Sequence, residues 1–88
     1  KVMSTTHVEI ITLEKMMYSG DVESVVVPGA EGQLGILANH ASLMSILSSG
    51  LIRLSSDGDE VSFNVNGGFI EVGNNSVTIL ADSCEPNQ

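Results

Sequence analysis

A chain of 88 residues, 42% hydrophobic and 3% aromatic, has room for one small folded domain with an aliphatic core, which excludes a disordered tail. Three lysine and arginine side chains stand against 11 aspartates and glutamates, and the resulting formal charge of −8 excludes a charge-driven attraction to nucleic-acid phosphates or anionic lipid. Cys84 is the only cysteine, so an intramolecular disulfide is excluded and a reducing compartment is implied.

The start, Lys1-Val2-Met3-Ser4-Thr5-Thr6, is polar and is not expected to act as a signal peptide. No apolar run approaches the length of about 18 residues that a membrane helix needs, so any membrane association is expected to run through other proteins. Residues 7–13 are rich in β-branched side chains and read as a strand. Met16-Met17-Tyr18-Ser19-Gly20 reads as a short strand ending in a turn, and residues 21–27 as the next strand. Pro28-Gly29 marks a bend, followed by a strand over residues 33–37. Residues 42–47 fit a helical face almost as well as a strand, but the run is short and Gly50 ends it, which favours a strand. Beyond it, residues 51–56 and the clean alternation of Val61-Ser62-Phe63-Asn64-Val65-Asn66 flank Asp57-Gly58, a strong hairpin signal. Gly67-Gly68 is expected to break the chain before a strand at Phe69-Ile70-Glu71-Val72. The Gly73-Asn74-Asn75 turn then leads to a last strand over residues 76–81.

The expected fold is therefore all-β. It is a two-sheet β-sandwich or flattened barrel of roughly ten short strands, forming one domain over residues 1–88. Val25, Ile36, Phe63, Ile70 and Ile79 fall on the apolar phase or in the densest apolar runs and are expected in its core.

Few groups could carry chemistry. Gly29, Gly32 and Gly35 are spaced G-x-x-G-x-x-G with no lysine and serine or threonine after them, and Glu31 would repel a phosphate, so a nucleotide loop is not expected. His7 and His40 are the only imidazoles and neither has a second histidine at metal-ligand spacing, so no metal site is expected. His40 lacks a neighbouring nucleophile and reads as a hydrogen-bonded strand-edge or interface residue. Cys84, near the polar C-terminus, reads as a free thiol or a packed side chain. Lys15, in Leu13-Glu14-Lys15-Met16-Met17, resembles the modified lysine of lipoyl and biotinyl carriers, but it lies near the N-terminus instead of mid-chain. No catalytic residue, cofactor or small-molecule substrate is expected; a carrier or an acidic β-sandwich adaptor remains the alternative reading.

Five blocks resemble one family in order and spacing. The most specific is Glu31-Gly32-Gln33-Leu34-Gly35-Ile36-Leu37-Ala38-Asn39-His40-Ala41, of the form E-G-x-L-G-I-x-x-x-H-A. Around it stand Met17-Tyr18-Ser19-Gly20-Asp21-Val22, Gly50-Leu51-Ile52-Arg53, Gly67-Gly68-Phe69-Ile70-Glu71-Val72 and Val77-Thr78-Ile79-Leu80-Ala81-Asp82. Together they resemble the F-type ATP synthase epsilon subunit, called delta in mitochondria, from about His7 to Ala81. The chain departs from that pattern at Ala38 and Ser42, where proline is common, at Asn39, where glycine is, and at Gln33, where glutamate is. Many members carry a two-helix hairpin after the sandwich. The residues here end at Pro86-Asn87-Gln88, so that hairpin is not expected in them and its properties are not carried over.

The resemblance implies a non-catalytic rotor subunit of the central stalk, which links the gamma subunit to the membrane c-ring and couples ion flow to ATP synthesis. By position it implies that Glu31, Gly32 and Gln33 face the c-ring, and that Thr12, His40 and Met44 face gamma. It places the protein peripherally on the cytoplasmic face of the bacterial inner membrane, held there by its partner subunits.

Overall fold

The computed structural model describes residues 4–38 and 41–87, which form eight strands and no helix. The strands are β1 (Thr6–Ile11), β2 (Met16–Val22), β3 (Ser24–Gly29), β4 (Gly32–Leu37), β5 (Leu43–Ser56), β6 (Asp59–Gly73), β7 (Ser76–Ala81) and β8 (Cys84–Pro86). They hydrogen-bond in the order β2-β1-β7-β6-β5-β3-β4, with β8 added on β6. β1 and β7 pair in parallel and all other neighbours are antiparallel.

β5 and β6 decide the architecture. A straight 15-residue strand such as β6 would reach about 50 Å, yet the longest dimension of the molecule is 36 Å. Both strands must bend, and the sheet folds onto itself. The first half of β5 and the second half of β6 join β7, β1 and β2 in a first layer. The remaining halves join β3, β4 and β8 in a second layer. The expected breaks at Gly50 and Gly67-Gly68 are therefore bends inside continuous strands, and the expected short pieces merge in pairs. Gly68 has φ +143, and a Cβ there would overlap the Leu80 carbonyl oxygen and lie 2.9 Å from Ala81 Cα, so only glycine lets β6 turn this corner against β7.

Two other boundaries shift. β2 runs through Ser19-Gly20 to Val22, and the chain crosses between layers at Glu23, whose N–H donates to the Ser55 carbonyl at 2.8 Å. β3 runs through Pro28 to Gly29. Proline has no N–H to give, and the register of β3 against β5 slips between Val26 and Gly29, where that bond is not needed. The Asp57-Gly58 hairpin forms as expected, with positive φ at both residues (53° and 85°), the signature of a type I′ turn.

Alternation along the strands fills the space between the layers. Val8, Ile10, Val25, Val27, Ile36, Ile52, Leu54, Ile70, Val77 and Ile79 are almost fully buried, each contributing about 1.5–3 kcal/mol of apolar transfer. The five expected core residues, Val25, Ile36, Phe63, Ile70 and Ile79, are all buried. Phe63 on the second layer meets Tyr18 of β2 edge-on, with ring centroids 5.9 Å apart. Val61 shares the phase of Phe63 but is exposed, because it lies near the strand end, next to the hairpin.

Candidate docking face and hairpin tip

The outward side of the first layer carries a row of apolar side chains. Ile46 of β5 stands opposite Phe69 of β6, Phe69 opposite Leu80 of β7, Leu80 opposite Ile11 of β1, and Ile11 opposite Met16 of β2. Ile46, Leu80 and Met16 are 63%, 50% and 50% exposed, and Phe69 and Ile11 are half-buried. Five strands at about 4.8 Å spacing make this row roughly 19 Å long. Leu13, just beyond β1, is fully exposed at its end, and a groove of about 480 Å³ opens there between Ile11, Leu13, Leu80 and Asp82. Single exposed apolar side chains are ordinary, but a contiguous row marks a surface that binds something. The outward side of the second layer is more polar, with Ser24, Arg53, Ser55, Ser62, Asn64 and Glu85 on it beside an exposed Leu37.

Sequence reasoning did not single out this row. Its signal is a set of apolar doublets, Ile10-Ile11, Met16-Met17, Ile46-Leu47, Phe69-Ile70 and Ile79-Leu80, where strict alternation would put a polar residue outward. Only the pairing registers show that the outward members line up.

The expected contact residues fall at two places. Glu31, Gly32 and Gln33 come together, all exposed, at the tip of the β3–β4 hairpin, where Gly29 pairs with Gly32 across the Ala30–Glu31 turn. The Ala30 N–H donates to the Ile46 carbonyl at 2.9 Å, which ties the tip to a strand of the apolar row. Met44 lies on the same outward face as Ile46, 65% exposed, two residues along β5. Thr12 lies at the opposite end, in the β1–β2 turn. Its hydroxyl accepts from the N–H groups of Glu14 and Lys15 at 3.3 Å each and donates to the Lys15 carbonyl at 3.2 Å, so it holds the turn closed. Lys15 is exposed in that turn. His40 lies outside the described residues.

Two further groups were open in the sequence. His7, on the outward face of β1, lies 2.8 Å through Nδ1 from Asp21 and 3.4 Å through Nε2 from Glu9. The Asp21 hydrogen bond, followed by the Glu9 carboxylate, raises its pKa above the usual histidine value. Cys84 is a packed side chain opposite Val65; burial, with the charge of Glu85, pushes its thiol pKa up and makes it a poor nucleophile. Among the described residues no group of three or more His, Cys, Asp or Glu side chains is placed to hold a metal ion. The exposed apolar row is a surface that can pack against a partner.

Comparison with known proteins bears on the family and the fold. The family model described as "ATP synthase, Delta/Epsilon chain, beta-sandwich domain" matches residues 5–87. An ATP synthase epsilon chain of Pelotomaculum thermopropionicum is 43% identical over 81 residues, covering 92% of this chain and 60% of that relative. Among solved structures, a chain of the Euglena gracilis mitochondrial ATP synthase, OSCP/F1/c-ring, superposes with a TM-score of 0.89 at 19% identity, covering 98% of this chain and 56% of that one. A chain of the Tetrahymena thermophila mitochondrial ATP synthase central stalk/c-ring superposes with a TM-score of 0.77 at 17% identity, covering 96% and 69%. At such identities the structures speak for the fold alone. The chain spans about 60% of the length of the curated relatives it matches.

Proposed function

The chain belongs to the ATP synthase delta/epsilon family, whose β-sandwich domain it forms, and from that premise we propose that it is a non-catalytic rotor subunit of the central stalk. In this reading the outward face of the first layer packs on the gamma subunit, with Met44 and Thr12 at its margins; His40, outside the described residues, is assigned to the same contact by family resemblance alone. The tip at Glu31, Gly32 and Gln33 rests on the c-ring. The domain then couples ion flow to ATP synthesis by holding the two partners in fixed register. It uses no cofactor and no small-molecule substrate, and it sits peripherally on the cytoplasmic face of the bacterial inner membrane through its partners.

The observation that carries this reading is the joining of an apolar row to an exposed tip within one sandwich, through the Ala30 to Ile46 hydrogen bond. A close-packed two-layer core has low compressibility and transmits load between such contacts. Leu80 is half-exposed, so Leu80→Lys should leave the melting temperature nearly unchanged while abolishing capture of gamma, because a lysine would be buried unpaired in the joint. Gln33→Lys, at the exposed tip, should change stability by no more than about 0.5 kcal/mol and weaken c-ring capture only. Pull-down of gamma and c-ring by each variant, beside its melting curve, checks both. A folded Leu80→Lys chain that holds gamma at full strength would show that gamma packs elsewhere.

A further inference from the structure

The apolar row is bordered on one side by a second row of a different character. Two residues away along each strand, at a distance of about 7 Å, Met44, Glu71, Thr78 and Glu9 stand opposite one another across β5, β6, β7 and β1. Glu71 is exposed and meets no cation among the described residues; Glu9 is partly exposed and lies 3.4 Å from His7. Asp21 of β2 extends the negative border past His7. Apart from His7, no described cation stands in these rows: Arg53 is on the other layer near Glu60, and Lys15 lies in the β1–β2 turn. On the other side of the apolar line Asp82 stands exposed two residues past Leu80, so the line runs between carboxylates.

We propose that this face selects a partner strip of apolar side chains flanked by lysine or arginine, the basic side chains lying against Glu71 and Glu9. The proposal rests on the reading of the face as the gamma-binding surface and adds to it the chemistry of the partner. An apolar row alone would accept any apolar strip; the acidic margin makes a basic one favourable and an acidic one costly. It also disfavours a second copy of this chain as occupant, since two chains of formal charge −8 would bring like-charged borders together.

The test compares gamma binding by the wild-type chain, by Glu9→Gln/Glu71→Gln, and by Glu60→Gln/Glu85→Gln, which removes the same charge from the opposite layer. Association rates are followed from low to high salt. The proposal expects Glu9→Gln/Glu71→Gln to associate about tenfold more slowly at low salt and to lose most of the salt dependence. The Glu60→Gln/Glu85→Gln chain should stay near wild type. Equal losses in both double variants would show that net charge acts and not this row, and would overturn the proposal while leaving gamma binding intact. Salt-independent wild-type binding would do the same. Failure of the wild-type chain to bind gamma at all, or its sedimentation as a dimer through this face, would overturn the proposal and the functional reading together.

Discussion

His7 shows how one side chain senses its surroundings without holding the fold together. It is exposed, and its ring is bracketed by Asp21 and Glu9. The folded-state pKa is raised, so the protonated form gains in the native state. That gain is fully present below the unfolded value of about 6.5 and is lost as pH rises through the higher folded pKa. NMR titration should therefore place the His7 pKa above 6.5, and Asp21→Asn should bring it back down. A His7 that titrates at or below 6.5 would show that the Asp21 contact does not persist in solution. Cys84 makes the opposite case: it is a free thiol and also a packed side chain, buried opposite Val65.

At the scale of elements, the turn chemistry was legible and the strand ends were not. Asp57-Gly58 declares its own turn because few residues tolerate positive φ at two successive positions. Gly67-Gly68 carries a comparable local signal, yet its outcome depends on what lies across the sheet. The missing Cβ makes room for the Leu80 backbone, so the glycines bend β6 where isolated reasoning ends it. Gly68→Ala should consequently destabilise the domain by at least about 2 kcal/mol, combining backbone strain with a clash against β7. The measurement is the shift of the urea midpoint at constant slope. A variant that unfolds with the wild type would mean that β6 turns by some other route.

At the scale of the whole molecule, the period-two pattern and the Glu31-to-Ala41 block specified an all-β sandwich and its family, because both are properties of contiguous residues. The apolar row was not legible for the converse reason. Ile11, Met16, Ile46, Phe69 and Leu80 come from five strands scattered between residues 11 and 80, and no window of sequence contains more than two of them. Their alignment is a fact of register, which emerges only once β1 has found β7. The tip residues Glu31, Gly32 and Gln33 could be read together because a hairpin keeps neighbours in sequence as neighbours in space.

The parallel ladder of β1 with β7 also sets an order of events during synthesis. His7 pairs with Ser76 and Ile11 with Leu80, so the first strand made waits for almost the last before it has neighbours on both sides. Until then the β1–β2 hairpin stands alone, and two-stranded hairpins are marginal in water. With contacts this distant along the chain, folding should be slow for the domain's size and should follow, not accompany, emergence from the ribosome. A chain ending at Asn75 should therefore lack cooperative unfolding, whereas one ending at Asn87 should show a single sharp transition in circular dichroism. A sharp transition in the shorter chain would mean that the front half can close its sheet without β7.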